Sequence, residues 1–410
     1  MSLNIEWVRQ HFPALSGDWV LFDNAGGSQI LQPVVDRINK YLLTSNVQHG
    51  ASYSISQLAQ ERLAEATRAM AAFINAKNPS EVIMGSSTTM LIRILSICLG
   101  NWFKPGDEII VTNCDHEANI GPWVDLEKQG IKIKFWQINP ESLELHLDDL
   151  APLMNKRTRL VAMTHVSNIL GTINPIKNIT EFVHDHGALI CVDGVAYAPH
   201  RKIDVQALNV DFYAFSCYKV FGPHHAVMFG KQELLLELPG FNHYFVDSTN
   251  IPYKFQPGSV NYELSYGMLG LIDYLDELAV LQSNHQILDD LSKRITYTFE
   301  LITEYEEFIG ARLLDYLNST PNVHLVGHQT ADSKVRVPTI SFTVDKMNSA
   351  SIPPEVDKHN IGIRYGDFHS KRFIKDLGLA ENSGVVRVSM AHYNTTEEVD
   401  RLMDVFDKIF

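Results

Sequence analysis

The sequence predicts an α/β protein, with a large domain on a mainly parallel sheet and a smaller α+β domain at the carboxyl end. Three observations carry this. From about residue 80 to about residue 230, short apolar runs rich in Val and Ile alternate with longer segments of helical period, as buried parallel strands alternate with the helices that cover them. With 410 residues, 45% of them hydrophobic, the chain exceeds what one compact core serves and is expected to divide in two. From about residue 278 onward the pattern becomes a long amphipathic stretch followed by short strand-like runs and a closing helical segment.

In chain order, the expected strands of the large domain are 81–84, 108–112, 131–136, 160–164, 188–192 and 211–215. Helical patterns separate most of them. The segment 178–186 places Ile179, Phe182 and Val183 on one face, and Gly187 follows where a helix end favours glycine. In the last part, 339–344 and 385–389 read as strands and TTEEVDRLMDVFDKIF (395–410) as the closing helix. The expected large domain is 16–275, with 1–15 and 276–410 forming the small one.

The formal charge of -14 is spread along the chain without a basic run, so nucleic acid is not an expected partner. The amino end lacks a basic start, an apolar run and a small-residue cleavage site, and no apolar stretch reaches membrane-spanning length. A soluble, cytoplasmic protein with no membrane partner is expected. The four cysteines, Cys98, Cys114, Cys191 and Cys217, are widely spaced, which suits a reducing compartment and gives no zinc pattern. His224 and His225 are adjacent, and His184 and His186 point to different faces of a helix, so no metal site is expected.

Ligands of open α/β sheets bind beyond the carboxyl ends of the strands, and several chemically informative residues fall there. GSSTT (85–89) follows a strand and opens a helix, so Ser87, Thr88 and Thr89 are either phosphate donors or ordinary helix caps. Asp193 ends the run Leu189-Ile190-Cys191-Val192, where a buried acid needs a partner; a pyridinium nitrogen or a turn would each provide one. Lys219, in Ser216-Cys217-Tyr218-Lys219, is either a surface cation or a desolvated amine able to form a Schiff base.

These segments, together with LFDNAGG (21–27), DHEANIGPW (115–123), THVSNILGT (164–172), VDGVAYAPH (192–200), SCYKVFGPH (216–224), FQPGSVNYE (255–263) and VRVSMAHYNTTEEVDRL (386–402), resemble in order the class V aminotransferase family, specifically its cysteine desulfurase-like and selenocysteine lyase-like branch. The resemblance covers nearly the whole chain. It implies fold type I with a seven-stranded sheet, pyridoxal 5'-phosphate as cofactor, and a homodimer with shared active sites. It also implies that Lys219 forms the Schiff base and moves the proton at Cα, that Asp193 pairs with the pyridine nitrogen, and that His116 stacks on the ring. Asn168 is implied as a donor near the ring's phenolic oxygen, and Ser87, Thr88, Thr89, Ser216 and Tyr218 as phosphate ligands. Ser259 matches a hydroxyl that reaches the phosphate of the neighbouring subunit. Arg387 resembles the arginine that holds the substrate carboxylate, and guanidinium binds a carboxylate through two parallel hydrogen bonds. Arg364, Asn24, Ala25 and Gly26 match segments lining the substrate pocket, and His49 in NVQHGAS (46–52) is a candidate substrate contact.

The chain departs from that pattern in two places. His369, in RYGDFHS (364–370), stands where desulfurases carry the cysteine whose thiolate attacks the substrate sulfur. Ala196 stands where many relatives have a polar contact to the cofactor. The expected function is therefore a C–S or C–Se lyase acting on a small amino acid without a persulfide-forming cysteine, with His369 or a water as proton donor to the departing group. An aminotransferase or amino-acid racemase needs the same lysine, and a catalytically silent cofactor-binding protein is the non-enzymatic alternative.

Overall fold

The structure is a computed structural model and describes residues 3–283 and 290–410. The first strand, β1 (Val20–Leu21), is followed by the strands of the large sheet: β2 (Val82–Gly85), β3 (Glu108–Thr112), β4 (Lys132–Trp136), β5 (Thr158–Thr164), β6 (Leu189–Asp193), β7 (Phe212–Ser216) and β8 (Ala226–Gly230). They form a seven-stranded sheet in the order β2-β8-β7-β6-β5-β3-β4. The run β4, β3, β5, β6, β7 is parallel throughout, and β8 lies antiparallel to both β7 and β2. Each expected strand of this sheet is present within two residues of its expected bounds. The resemblance implies seven strands, and the seventh, β8, lies at a run that the strand pattern does not single out.

Strand periodicity explains why the sheet is apolar on both faces. Ile110, Val161, Val192 and Phe215 face one core cluster, whereas their neighbours Ile109, Val111, Leu160, Cys191 and Ala214 face the other. Each fully buried Val, Ile or Leu side chain stabilises the fold by about 1.5–3 kcal/mol relative to exposure. The helix Ile176–Asp185 covers one face with Ile179 and Val183, and Gly187 follows it at φ 73.

A second sheet contains β9 (Val323–Val326), β10 (Thr339–Val344), β12 (Arg364–Gly366) and β13 (Val385–Ser389) in the antiparallel order β12-β13-β10-β9. It packs Ile340, Phe342, Val386 and Val388 against Leu313 and Leu317 of the 29-residue helix Leu291–Ser319 and against Val399 and Leu402 of the closing helix. That closing helix, Thr396–Phe406, starts at a capping box in which Thr395 and Glu398 satisfy each other's backbone N–H groups. The short β1 pairs in parallel with β11 (Ile361–Gly362), and Asp23 bridges to Ser389. Residues 20–24 thus pair with carboxyl-terminal segments, in a two-stranded sheet with β11 and through backbone contacts to Ser389. The helix Leu269–Gln282 runs through residue 275, where the division between domains was expected. Among the described residues no helix is long and apolar enough to cross a membrane.

Candidate active site

The parallel strands β3, β5, β6 and β7 end side by side; Asp193 is the last residue of β6, and the segments after β3, β5 and β7 bring His116, Asn168 and Lys219 to the same place. An inner pocket is lined by Thr88, His116, Asn168, Asp193, Ala196, Ser216, Tyr218 and Lys219. It opens into a cleft of about 950 Å³ bounded by Ala25, Gly26, Thr89, Arg364, His369 and Arg387. Lys219, Asn168, His116 and Tyr218 line both.

Lys219 sits at the end of a short 3-10 turn and is 8% exposed. Among the described residues no carboxylate lies within ion-pair distance of it. Burial, reinforced by the Arg387 charge and opposed by Asp193 and Asp23, pushes its pKa down to about 8. The neutral, nucleophilic amine is therefore far more populated near neutral pH than on an exposed lysine. Asp193, the last residue of β6, accepts a hydrogen bond from the Val195 N–H at 2.8 Å through Oδ1. Its Oδ2 has no donor among the described residues, and burial pushes its pKa up to about 6 against the Val195 bond and Lys219. Gly194 follows because a Cβ there would lie 2.1 Å from the Tyr213 ring.

His116 follows the buried Asp115, which accepts hydrogen bonds from the Thr112 hydroxyl (2.6 Å), the Asn119 amide (2.6 Å) and the Thr164 N–H (3.0 Å). All three donors are neutral, and burial raises the Asp115 pKa to about 7. His116 Nδ1 accepts the Ala118 N–H at 3.0 Å, which leaves the ring proton on Nε2. Burial, then Lys219, His369 and Arg387, push its pKa down to about 4, so the ring is neutral at pH 7.

At the opposite end of the pocket the helix Thr88–Trp102 presents its free N–H groups. The Ser87 hydroxyl accepts the Met90 N–H as an N-cap, so the cap reading holds for that residue. Thr88 and Ser216 share a hydroxyl hydrogen bond of 2.7 Å, and with Thr89 and Tyr218 they face the pocket. This donor set fits pyridoxal phosphate: hydroxyls and a helix N-terminus for the phosphate, a carboxylate with a free oxygen for the ring nitrogen, and an unpaired buried amine for the aldehyde.

The outer cleft holds a network that sequence reasoning missed. Arg387 on β13 is buried at 2% exposure, and it is the register partner of Arg364 on β12. Its Nη1 donates to the Asn168 carbonyl at 3.0 Å, its Nη2 to Asp23 Oδ1 at 3.1 Å, and Nε is buried without an acceptor. The other Asp23 oxygen lies 3.2 Å from Arg364 Nε. Burial, partly offset by Asp23, pushes the Arg387 pKa down to about 10. The Phe368 ring covers the guanidinium at 3.7 Å. Phe368 and His369 both have positive φ, 50 and 60, an uncommon state for side-chain-bearing residues, and neighbours hold them there. The Asn168 amide donates to the Phe368 carbonyl and accepts the Ser370 hydroxyl, both at 2.9 Å, and the Glu117 N–H donates to the His369 carbonyl at 2.8 Å. Arg372 holds Glu117 through two bonds of 2.9 and 3.0 Å.

Three expected site residues lie elsewhere. The Asn24 amide is held inside the protein by Leu21, Ser389, Asn394 and Tyr393, while its neighbours Ala25 and Gly26 reach the cleft. Ser259 and His49 line a separate cavity of about 810 Å³. Within that cavity Gln256 donates to the Met84 carbonyl at 3.0 Å. All four cysteines are buried.

The family model for class V aminotransferases matches residues 20–298 and 291–402. The "Aminotransferase-like protein FGM3" of Gibberella zeae is 42% identical over 419 residues, covering 100% of this chain and 99% of that protein. The "Cysteine desulfurase-like protein ustD" of Aspergillus flavus is 33% identical over 418 residues, covering 99% of this chain and 91% of the relative. The solved cysteine desulfurase of Thermococcus onnurineus NA1 superposes with a TM-score of 0.87 at 27% identity, covering 100% of this chain and 98% of that one. With the lysine, the acid and the phosphate-end donors gathered at the ends of the same parallel strands, the chain belongs to the class V aminotransferase family, in its cysteine desulfurase-like part, and is a pyridoxal phosphate-dependent enzyme.

Proposed function

We propose that the enzyme is a C–S or C–Se lyase acting on a small amino acid, without a persulfide-forming cysteine. One observation carries this reading: the loop over the cleft delivers His369, whereas every cysteine is buried with its thiol pKa pushed up by burial.

Bound pyridoxal phosphate supplies an electron sink for the pair left when a bond at Cα breaks. Lys219 would hold the cofactor through its buried amine and would carry the proton to and from Cα. Asp193 would hold the ring nitrogen in its protonated form, and the neutral His116 would cover the ring. Thr88, Thr89, Ser216 and Tyr218 hold the phosphate, and the Ser87 cap keeps the helix N-terminus in place beside them. Asn168 would face the ring's phenolic oxygen, and its amide ties the 368–370 loop to the pocket. Arg387, with Arg364, orients the substrate carboxylate, and Ala25 and Gly26 let the substrate approach the backbone. His369 or a water gives a proton to the departing sulfur or selenium. Ser259 and His49 act across a homodimer at the partner's site, and that arrangement accounts for their separate cavity.

The test is product analysis of the cofactor-loaded enzyme with cysteine, cystine, cysteine sulfinate and selenocysteine. Pyruvate or alanine together with a sulfur or selenium product is expected, and the absence of all of them with every substrate overturns the reading. The name of the Gibberella zeae relative favours a second reading, amino transfer, in which a 2-oxo acid is converted to its amino acid at the expense of an amino donor.

A further inference from the structure

Asp23 forms an ion pair with Arg387, which lines the outer cleft together with Arg364. The pair rests on one oxygen, Oδ1, at 3.1 Å from Nη2, and leaves the adjacent Nε buried and without an acceptor. Arginine grips a carboxylate best along two adjacent N–H groups, so this pairing is half made. The other Asp23 oxygen is held by Arg364 Nε at 3.2 Å, and the Arg364 side chain is 58% exposed against 2% for Arg387. Asp23 therefore bridges a buried and a solvated guanidinium. The bridge is held in register because Arg364 and Arg387 face each other across β12 and β13. Gly26 keeps the carboxylate in place, since a Cβ at that position would lie 2.9 Å from both Asp23 oxygens.

We propose that Asp23 is an exchangeable counter-ion that sets the enzyme's requirement for a carboxylate on its substrate: the incoming carboxylate takes the Nε and Nη2 edge of Arg387, and Asp23 withdraws to Arg364. This rests on the assignment of Arg387 as the carboxylate anchor. Two carboxylates on one guanidinium edge repel, so Asp23 leaves Nη2 when the substrate's carboxylate arrives. Arg364 keeps the displaced charge paired, and the buried Arg387 is paired both before and after the exchange, so neither state strands a charge. An amine without a carboxylate offers nothing to replace Asp23 and leaves the bridge closed. Phe368, on the guanidinium face at 3.7 Å, restricts the exchange to the edge.

The experiment measures dissociation constants from the visible band of the cofactor-loaded protein, with L-alanine and ethylamine as probes, for wild type, Asp23→Asn, Arg364→Gln and Arg387→Ala. Asp23→Asn is expected to bind L-alanine several-fold more tightly and Arg364→Gln several-fold more weakly, with ethylamine unchanged in both. If Asp23→Asn keeps the wild-type melting temperature yet binds L-alanine equally or more weakly, the exchange is overturned. If Asp23→Asn does not fold, Arg364→Gln decides, and an unchanged L-alanine constant overturns the proposal. Arg387→Ala separates the two levels: wild-type affinity for L-alanine there removes Arg387 as anchor and the exchange with it. A loss confined to Arg387→Ala retains the anchor and removes only the exchange.

Discussion

The imidazoles of His116 and His369 lie 5.0 Å apart, centroid to centroid, with their planes at 44°. One ring belongs to the loop after β3 of the large sheet and the other to the loop after β12 of the small one. The contact holds because the His369 carbonyl accepts the Glu117 N–H, next to His116 in sequence. A neutral ring lining the inner pocket and an exposed ring lining the outer cleft are thus fixed as a pair.

His369→Ala tests the outer ring. If His369 protonates the departing group, kcat falls by about 10²–10⁴ while the substrate-induced shift of the visible band persists. An unchanged kcat assigns the proton to water.

Lys219 gives a pH-dependent outcome. Its folded pKa, about 8, lies below the ordinary 10.5, so burial of the charged amine destabilises the cofactor-free protein fully below pH 8, and this cost fades as pH rises toward 10.5. Lys219→Met is therefore expected to raise the unfolding free energy of the cofactor-free protein at pH 7, with a difference that shrinks between pH 8 and 10.5. Denaturant titrations at several pH values measure it. The same variant loses the visible band when supplied with cofactor.

The pair Arg372 and Glu117 clamps the 367–370 loop, yet both side chains are over 40% exposed. Arg372→Gln is expected to cost less than about 1 kcal/mol of global stability. Amide hydrogen exchange across 367–370 should nevertheless accelerate, because the positive-φ pair at Phe368 and His369 loses one of its restraints.

Mixed dimers test the sharing of sites. Lys219→Ala and Ser259→Ala are each expected to be impaired as homodimers. In a mixed dimer, one site combines the intact lysine of one chain with the intact serine of the other. Activity above the sum of the two homodimers after co-refolding is the expected result, and simple additivity argues for sites built within one chain.

Much of this was legible in the sequence because its signals are local. The strand-to-loop junctions at Asp193 and Lys219 are visible as apolar runs that stop at a polar residue, and β10 and β13 have their expected bounds. β8 was missed because Ala226–Gly230 is a short apolar run directly after the lysine loop, and its identity as a strand comes from pairing with β2 and β7. Asp23 stood within a quoted motif, but its meaning depends on an arginine 364 positions away. Asp115 likewise gains one of its donors from the Thr164 N–H, 49 residues on. The positive φ at Phe368 and His369 had no glycine to announce it.

The pairing of residues 20–24 with the carboxyl-terminal strands has a consequence for synthesis. At roughly 5–20 residues per second, the ribosome needs about 20–70 s to travel the 364 residues from Asp23 to Arg387. The strands that carry Asp193 and Lys219 have emerged long before then, whereas Asp23 waits for both of its arginines. The nascent chain therefore assembles the inner pocket around Asp193 and Lys219 first, and closes the Asp23–Arg387 pair only as β13 leaves the exit tunnel.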